Sequence, residues 1–392
     1  MRASYLLACA MLATRRALCF SPLSLQLRAK EVLRMGSSLS RDEHNLQQAE
    51  TFDRKVGFFA SEASVPPEAQ PSLREIAEYV AKEKGIGRVV DVGTGTGCLL
   101  PFYAEAGIEQ SAVVGVDLSP KMLEVFKERW PKAESWLGDF IDYLPGEGTS
   151  SIGAVVFNAV FGNVWDQRAH LAHAGYILGP GGSILLCHPL GRKCPEELRA
   201  KDPGMVPHAL PDEAALLEMT RFLPLQLRSF TDAGDLYLAV LKLTPQRACQ
   251  SVMYLSGVVS QGYGRGSKKL GVPTANLPAS QFTSQLEGVQ NGVYFGWGQV
   301  DKGAEKVAPC VQQVVHKVVA NVGYSPTFEG QENPEKIAEA HLISYGEDQG
   351  DFYGSNMRLA LCGFLRPERK FDSFPALVAQ INQDVQVGVC FA

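Results

Sequence analysis

The stretch Arg88-Val89-Val90-Asp91-Val92-Gly93-Thr94-Gly95-Thr96-Gly97 sets the architecture of the first half of this 392-residue chain. It is an apolar run typical of a buried strand, followed directly by a glycine-rich turn. Residues 98–106 have a helical pattern, residues 112–117 form a second apolar run, and residues 120–129 are again helix-like. Strand, turn, helix and strand in this order predict a doubly wound α/β sheet, whose ligands bind at the carboxyl ends of the strands.

The glycines and acids of this region favour S-adenosylmethionine (SAM) over a dinucleotide as the ligand. Gly93, Gly95 and Gly97 are spaced G-x-G-x-G, whereas the turn that carries a pyrophosphate is spaced G-x-G-x-x-G. Asp117 ends the second strand, where a carboxylate can accept hydrogen bonds from both ribose hydroxyls. Asp139 follows a third strand and is expected near the adenine edge.

A fourth strand over residues 152–157 and a turn into a fifth strand over residues 178–186 continue the pattern. With these features in order, the first half resembles the class I SAM-dependent methyltransferases. The resemblance implies a Rossmann-like sheet and a set of SAM-binding residues, namely Asp91, Gly93, Gly95, Gly97, Asp117 and Asp139. The alternative is a nucleotide-binding fold that packs but no longer binds its ligand.

The methyl acceptor is not identified by the sequence. No catalytic base is assigned in this half, because many methyl transfers need little beyond alignment of the acceptor with the sulfonium. Several side chains could line an acceptor pocket, although each is more often a core or surface residue: Phe52, Phe58, Phe59, Trp165, His188 and Arg192.

In the second half, residues 262–276 read Gly-Tyr-Gly-Arg-Gly-Ser-Lys-Lys-Leu-Gly-Val-Pro-Thr-Ala-Asn. Glycines let backbone N–H groups turn toward an anion, and the adjacent cations match a phosphate charge. Thr274 and Asn276 offer hard oxygen ligands suited to Mg²⁺. The proline favours a loop between strands over the start of a helix. A glycine-rich hairpin turn is the simpler alternative, but it does not explain the Pro-Thr-Ala-Asn ending.

The rest of this half is a series of short β-rich runs separated by turns with glycine and proline. About six strands without long helices between them predict a compact antiparallel six-stranded β-barrel. The clearest runs are residues 254–259, 292–298, 316–322, 338–343 and 358–364.

Six ordered motifs between residues 252 and 384 resemble the riboflavin kinases of the eukaryotic type. They are residues 262–276, 291–297, 319–328, 339–342, 351–354 and 365–373. The resemblance implies transfer of the γ-phosphate of ATP to the ribityl 5′-hydroxyl of riboflavin, which gives FMN. It also implies ATP as co-substrate and Mg²⁺ as cofactor.

The resemblance assigns a role to individual residues. Glu339 would be the general base, and Thr274 and Asn276 would hold Mg²⁺. From the residues alone, Glu339 fits an exposed strand carboxylate equally well, and His341 is interpreted as a strand residue. The implied ATP-binding residues are Gly262, Gly264, Arg265, Gly266, Ser267, Lys268, Thr274, Leu342, Ser344 and Tyr353. Those implied for riboflavin or FMN are Arg366, Arg369 and Phe371.

Composition limits the other possibilities. The formal net charge is −5, so nothing suggests a nucleic-acid binder. No apolar run reaches the roughly 18 residues of a membrane helix. Nine scattered cysteines without a CxxC pair predict reduced thiols and no metal cluster. Residues 1–30 contain arginine and lysine but no acid, which predicts targeting to a plastid or mitochondrion; an unstructured tail on a cytoplasmic protein is the alternative.

We therefore expect four segments: a targeting or disordered extension (1–50), a methyltransferase domain (51–244), a polar linker (245–251) and a kinase domain (252–392). Residues 375–383 should begin a covering helix, but Gly388 and the valines around it make 385–392 a poor continuation. Three functions compete: a riboflavin kinase fused to a methyltransferase, a methyltransferase with a flavin-binding barrel, and a non-enzymatic docking module. The oligomeric state is left open.

Overall fold

The computed structural model describes residues 39–61, 64–85, 87–146, 151–260, 274–281, 283–286, 288–301, 315–324, 336–343, 345, 352–371 and 373–391. The predicted targeting segment, residues 1–30, lies outside these ranges. No helix among the described residues combines the length and the apolarity needed to cross a bilayer.

The first half is a seven-stranded sheet with helices on both faces. Its strands are β1 (Arg88–Val92), β2 (Val113–Asp117), β3 (Glu134–Leu137), β4 (Ile152–Asn158), β5 (Leu178–His188), β6 (Leu225–Ala233) and β7 (Leu236–Leu243). Its helices are α1 (Arg41–Phe59), α2 (Gln70–Glu83), α3 (Leu100–Glu105), α4 (Pro120–Arg129), α5 (Gln167–Ile177), α6 (Lys193–Lys201) and α7 (Glu213–Thr220). The strands lie in the order β3-β2-β1-β4-β5-β7-β6.

This topology confirms the doubly wound prediction. The strands β1 to β5 are parallel, and β7 runs antiparallel to β5 and β6. The strand β4 is buried along almost its whole length, as expected for a central strand covered on both faces. The strand order reverses between β1 and β4, which opens a crevice at their carboxyl ends. The edge strand β6 was not predicted, because it is only partly buried and its apolar pattern is weak.

The predicted boundary at residue 50 is wrong, because α1 crosses it. The helix begins at Arg41 with a capping box, in which Ser40 and Glu43 each bond the backbone N–H of the other. Its residues then contact the carboxyl-end loops of the sheet. The Ser-x-x-Glu sequence was the available signal for this start.

The second half is a closed six-stranded barrel, as predicted. Its strands are β8 (Ala248–Val258), β9 (Thr274–Leu277), β10 (Gly292–Asp301), β11 (Val315–Tyr324), β12 (Lys336–Leu342) and β13 (Asn356–Pro367). They lie in the order β8-β13-β10-β11-β12-β9 with antiparallel pairing throughout. The two edges meet where the Ser260 N–H donates to the carbonyl of Asn276 at 2.9 Å. A short helix, α8 (Thr283–Leu286), follows β9.

The C-terminal helix is longer than predicted. Helix α9 (Phe374–Phe391) continues through the segment that was interpreted as a poor helix former. Gly388 approaches β11 closely: a Cβ built on it would lie 2.7 Å from Cγ2 of Val319. A glycine that costs helix propensity therefore lets the helix lie against the barrel.

The two halves share one apolar cluster, which includes Leu171 and Leu216 of the first half and Met253 and Leu255 of the barrel. The polar linker predicted at residues 245–251 is therefore wrong in its extent, because β8 begins at Ala248 and only a short 3₁₀ turn precedes it. Here Arg247 donates to the carbonyls of Gly175 (2.9 Å), Tyr176 (3.2 Å) and Leu178 (3.3 Å).

Candidate functional sites

The glycine-rich turn after β1 leaves space at the carboxyl edge of the sheet. Gly95 has a φ of 56°, which favours glycine, and a Cβ built on it would meet no atom within 4 Å. Gly93 and Gly97 also have positive φ angles, but Cβ atoms there would collide with Val160 and Trp130. Gly95 is thus the position of the turn that can approach a ligand.

Two acids lie beside this turn. Asp91 is buried and accepts a hydrogen bond from the Thr94 hydroxyl at 2.8 Å. Burial, together with the nearby Asp117 carboxylate, raises the pKa of Asp91 to about 7, against the lowering effect of that hydrogen bond. Asp117 accepts the backbone N–H groups of Gly95 and Ser119, each at 2.8 Å. Burial raises the pKa of Asp117 as well.

The third acid, Asp139, is already surrounded by side chains. Its carboxylate accepts from Arg41 Nε at 2.7 Å and Asn45 Nδ2 at 2.8 Å, and lies 3.3 Å from His170 Nε2. Burial alone would raise the pKa of Asp139, but the hydrogen bonds and charges of these neighbours hold it well below its ordinary value. Arg41 and Asn45 were not predicted, since they lie in the segment assigned to the N-terminal extension.

The residues suggested for an acceptor pocket are only partly brought together. Phe52, Phe58 and Phe59 lie on α1 with neighbouring rings 5.3–5.9 Å apart. His188 ends β5, where burial lowers its pKa to about 4. Arg192 instead pairs with Asp232 at 2.8 Å, and the carbonyl of Trp165 binds His208 at 3.0 Å.

In the barrel, the cross-strand register brings the kinase residues together. In the β9–β12 pair, Asn276 is the partner of Glu339 and Thr274 is the partner of His341. On the other side of β12, Asn321 of β11 is the partner of Glu339. Directly paired residues of an antiparallel sheet have Cβ atoms about 4.5–5.5 Å apart and point to the same face.

That shared face is the outer one. Along β9 and β12 the half-buried Thr274, Asn276, Glu339 and His341 alternate with buried residues that fill the barrel, namely Ala275, Leu277, Ala338, Ala340 and Leu342. Leu342, expected along the nucleotide, therefore has its side chain in the core, so only its backbone faces outward. Tyr353 is 40% exposed and packs its ring against Phe352 at 5.8 Å.

The flavin-loop residues also lie together. The guanidinium groups of Arg366 and Arg369 lie 5.7 and 4.9 Å from the centre of the Phe371 ring. Arg366 is nevertheless buried and bonded to Asp384 of α9, with Nη2 at 2.7 Å and Nε at 3.0 Å from its carboxylate. This guanidinium anchors α9 to the barrel, and its role toward the flavin stays a prediction.

Several predicted residues cannot be placed. Outside the described residues lie Gly262, Gly264, Arg265, Gly266, Ser267, Lys268 and Ser344. Sequence reasoning also missed Asn321, whose Nδ2 donates to Glu368 at 2.9 Å. Its position opposite Glu339 depends on strand register, which no local motif reveals.

Comparison with known proteins identifies both halves. The riboflavin kinase (flavokinase) family model matches residues 250–389, and a methyltransferase domain model matches residues 89–182. Riboflavin kinases of mouse and human are 37% and 35% identical over 133 residues, which is 34% of this chain and 76% of each relative. The riboflavin kinase of Pyricularia oryzae is 38% identical over 139 residues, 34% of this chain and 67% of the relative. With its barrel matched in this way, the chain belongs to the riboflavin kinase family and carries a methyltransferase domain ahead of the kinase domain.

Proposed function

We propose that this chain is a bifunctional enzyme that makes FMN from riboflavin and ATP and also transfers a methyl group from SAM. The single observation that carries the kinase reaction is the register of β9, β12 and β11. It sets Glu339 between Asn276 and Asn321 on one outer face of the barrel, with Thr274 two residues from Asn276. A carboxylate thus lies beside two neutral oxygen ligands, as phosphoryl transfer to a hydroxyl requires.

In this reaction Glu339 takes the proton of the ribityl 5′-hydroxyl as that oxygen attacks the γ-phosphorus. Proton removal makes the hydroxyl a better nucleophile. The γ-phosphoryl group is transferred from ATP to the ribityl oxygen, and ADP is released. Asn276 and Asn321 are the cross-strand partners of Glu339 on its two sides.

Thr274 and Asn276 fit Mg²⁺. Their side-chain oxygens are two residues apart on one face of β9, and in the described part of the chain neither side chain is engaged in a hydrogen bond. Mg²⁺ is commonly bound by few protein oxygens together with water and phosphate. When bound, the ion would neutralise charge on the β- and γ-phosphates.

Phe371 and Arg369 are the flavin-loop groups left to contact the isoalloxazine. A ring and a planar guanidinium suit a flat aromatic ligand. Because Arg366 bonds Asp384, α9 fixes the point where this loop leaves β13.

In the first half, Gly95 and Asp117 are placed to receive SAM at the crevice between β1 and β4. The open space above Gly95 admits a ligand close to the backbone, and Asp117 presents a carboxylate at the end of β2. SAM would supply the methyl group as a sulfonium. The proposed roles of Asp91, Gly93, Gly97 and Asp139 follow from the family resemblance.

One incubation tests both activities. The purified chain is mixed with riboflavin, Mg-ATP and SAM, products are followed by mass spectrometry, and SAM binding is measured by calorimetry. We expect FMN to form and to stop forming when EDTA removes the metal. We also expect Asp117→Asn to weaken SAM binding about tenfold or more. Riboflavin that stays unphosphorylated would refute the kinase, and absence of SAM binding would refute the methyltransferase.

A further inference from the structure

The buried face of α1 is unusual because it is polar. His44 is 2% exposed and Gln48 is 3% exposed, and they are the buried residues of this helix. They lie four residues apart and so on the same face. A surface helix normally buries an apolar stripe, whereas Leu46 on α1 is 62% exposed.

His44 has one ring nitrogen in use. Its Nε2 lies 2.9 Å from the carbonyl oxygen of Asn163. A carbonyl can only accept, so Nε2 carries the proton, and in the neutral ring Nδ1 holds a lone pair. Among the described residues no hydrogen bond reaches Nδ1. Burial, with the neighbouring His208 and His170, lowers the pKa of His44 against the opposing effects of Asn163 and Asp139, which keeps the ring neutral at pH 7.

Gln48 also has one end unsatisfied. Its Nε2 donates to the carbonyls of Gly204 and Met205, both at 3.1 Å. Its Oε1 is buried and has no hydrogen-bond partner among the residues that the structure describes. Buried polar atoms without a partner are rare in folded proteins, so this oxygen is available to accept a hydrogen bond.

Both side chains lie at the ligand-binding edge of the α/β sheet. Asn163 is in the loop after β4, at the carboxyl end of the strand that borders the crevice. Asn163 also donates to Met205 at 2.8 Å, which ties this loop to the one that holds Gln48. The charged and titratable groups that face His44 are Asp139 from the loop after β3, His170 from α5, and His208.

We propose that His44 is the general base of methyl transfer and that Gln48 Oε1 binds the methyl acceptor, which is therefore a small molecule with a hydroxyl or amino group. This inference rests on the proposed methyltransferase function and names its substrate class. The acceptor oxygen or nitrogen forms a bond to the methyl carbon with its lone pair. The carbon–sulfur bond breaks, its electron pair stays on sulfur, and the acceptor proton passes to Nδ1 of His44.

The acceptor enters when α1 lifts from the sheet, since both side chains are closed off in the structure. The helix is held largely by polar contacts. Besides those of His44 and Gln48, Arg41 and Asn45 bind Asp139, and Asp53 accepts from the Ser119 hydroxyl at 2.5 Å. Lifting it breaks these polar contacts and also uncovers the half-buried Phe52, Val56 and Phe59.

The test uses the full chain and a variant that separates structure from chemistry. His44→Gln keeps an amide N–H that can donate to the Asn163 carbonyl but has no basic nitrogen. Leu46→Ala, on the exposed face of α1, is the matched control. Labelled SAM is offered with a panel of simple phenols, alcohols and primary amines, and with dimethyl sulfide, which has no proton to lose. Binding of S-adenosylhomocysteine is measured by calorimetry.

We expect the native chain to methylate at least one protic probe, with a rate that falls in acid as His44 becomes protonated. His44→Gln should lower that rate about 100-fold or more. Its affinity for S-adenosylhomocysteine and any methylation of dimethyl sulfide should stay within about twofold. If the chain binds S-adenosylhomocysteine but methylates no protic probe, or if His44→Gln matches Leu46→Ala, the inference is refuted alone. If neither SAM nor S-adenosylhomocysteine binds, the proposed methyltransferase function is refuted, and this inference is refuted as well.

Discussion

At the scale of single residues, the methyltransferase half holds acids in opposite electrostatic states within one crevice. Asp139 is kept ionised by Arg41, Asn45 and His170, whereas Asp91 is buried and, among the described side chains, accepts a hydrogen bond from the Thr94 hydroxyl alone. The difference follows from the partners that the fold supplies, because both acids are buried.

The raised pKa of Asp91 predicts a pH-dependent stability. In the folded protein this acid holds its proton up to about pH 7, whereas in the unfolded chain it loses it near pH 4. Between these values the folded state binds more protons, so its contribution to the free energy of unfolding falls as pH rises. Asp91→Asn should therefore stabilise the protein above pH 7, by up to about 4 kcal/mol.

Urea unfolding of the native chain and of Asp91→Asn between pH 4 and pH 8 measures this effect. The difference between the two free energies of unfolding should grow in favour of the variant as pH rises. A difference that stays constant over this range would show that Asp91 is ionised in the folded protein.

At the scale of elements, the central strands could be predicted from the sequence, whereas the full extent of helix α9 could not. The glycine turn and the apolar runs were enough to predict the central strands, because burial on both faces leaves a local pattern. The interpretation of Gly388 as a poor helix residue was sound as propensity but wrong as structure. Its close contact with Val319 is a tertiary feature that overrides propensity.

Gly388→Ala tests that contact. Alanine favours a helix by about 1 kcal/mol over glycine, but overpacking a filled site typically costs about 1–3 kcal/mol. Because β-branched Val319 is stiff, we expect a net loss of about 1 kcal/mol in the free energy of unfolding. Val319→Ala in the same chain should remove the penalty. If the single variant Gly388→Ala has a higher free energy of unfolding than the native chain, α9 does not lie against β11.

For the site residues too, the sequence indicated individual residues through local motifs but did not reveal their contacts in the fold. Thr274, Asn276 and Glu339 were assigned because they lie in family motifs, while their mutual placement is a matter of register. Arg366 was assigned to the flavin from its motif, yet it bonds Asp384, which lies 18 residues farther on. His44 and Gln48 were missed altogether, since no sequence pattern marks a polar residue that a surface helix will bury.

At the scale of the whole molecule, the two catalytic domains form one packed body. Arg247 binds three carbonyls at the end of α5 and the start of β5, and apolar residues of both halves share a cluster. A domain pair joined by a free linker would have neither feature. The fusion is therefore a structural unit, with β8 of the barrel beginning where the sheet of the methyltransferase ends.

Arg247→Ala tests this union. Losing the guanidinium leaves partly buried carbonyls without a donor, which typically costs about 1–3 kcal/mol each. We expect the free energy of unfolding to fall by at least about 1 kcal/mol and calorimetry to resolve two transitions. Arg228→Ala, an arginine on the exposed side of β6, is the control and should leave a single transition. If both variants unfold like the native chain, Arg247 does not join the halves.

The central claim is that Glu339, set between Asn276 and Asn321, is the base that makes FMN. The most direct measurement is the rate of FMN formation by Glu339→Gln at saturating Mg-ATP, with riboflavin binding followed by flavin fluorescence. Asp301→Asn, which changes a barrel carboxylate paired with Arg358, is the control. We predict that Glu339→Gln binds riboflavin normally and forms FMN about 10²–10⁴-fold more slowly than the control. Equal rates in the two variants would contradict the assignment.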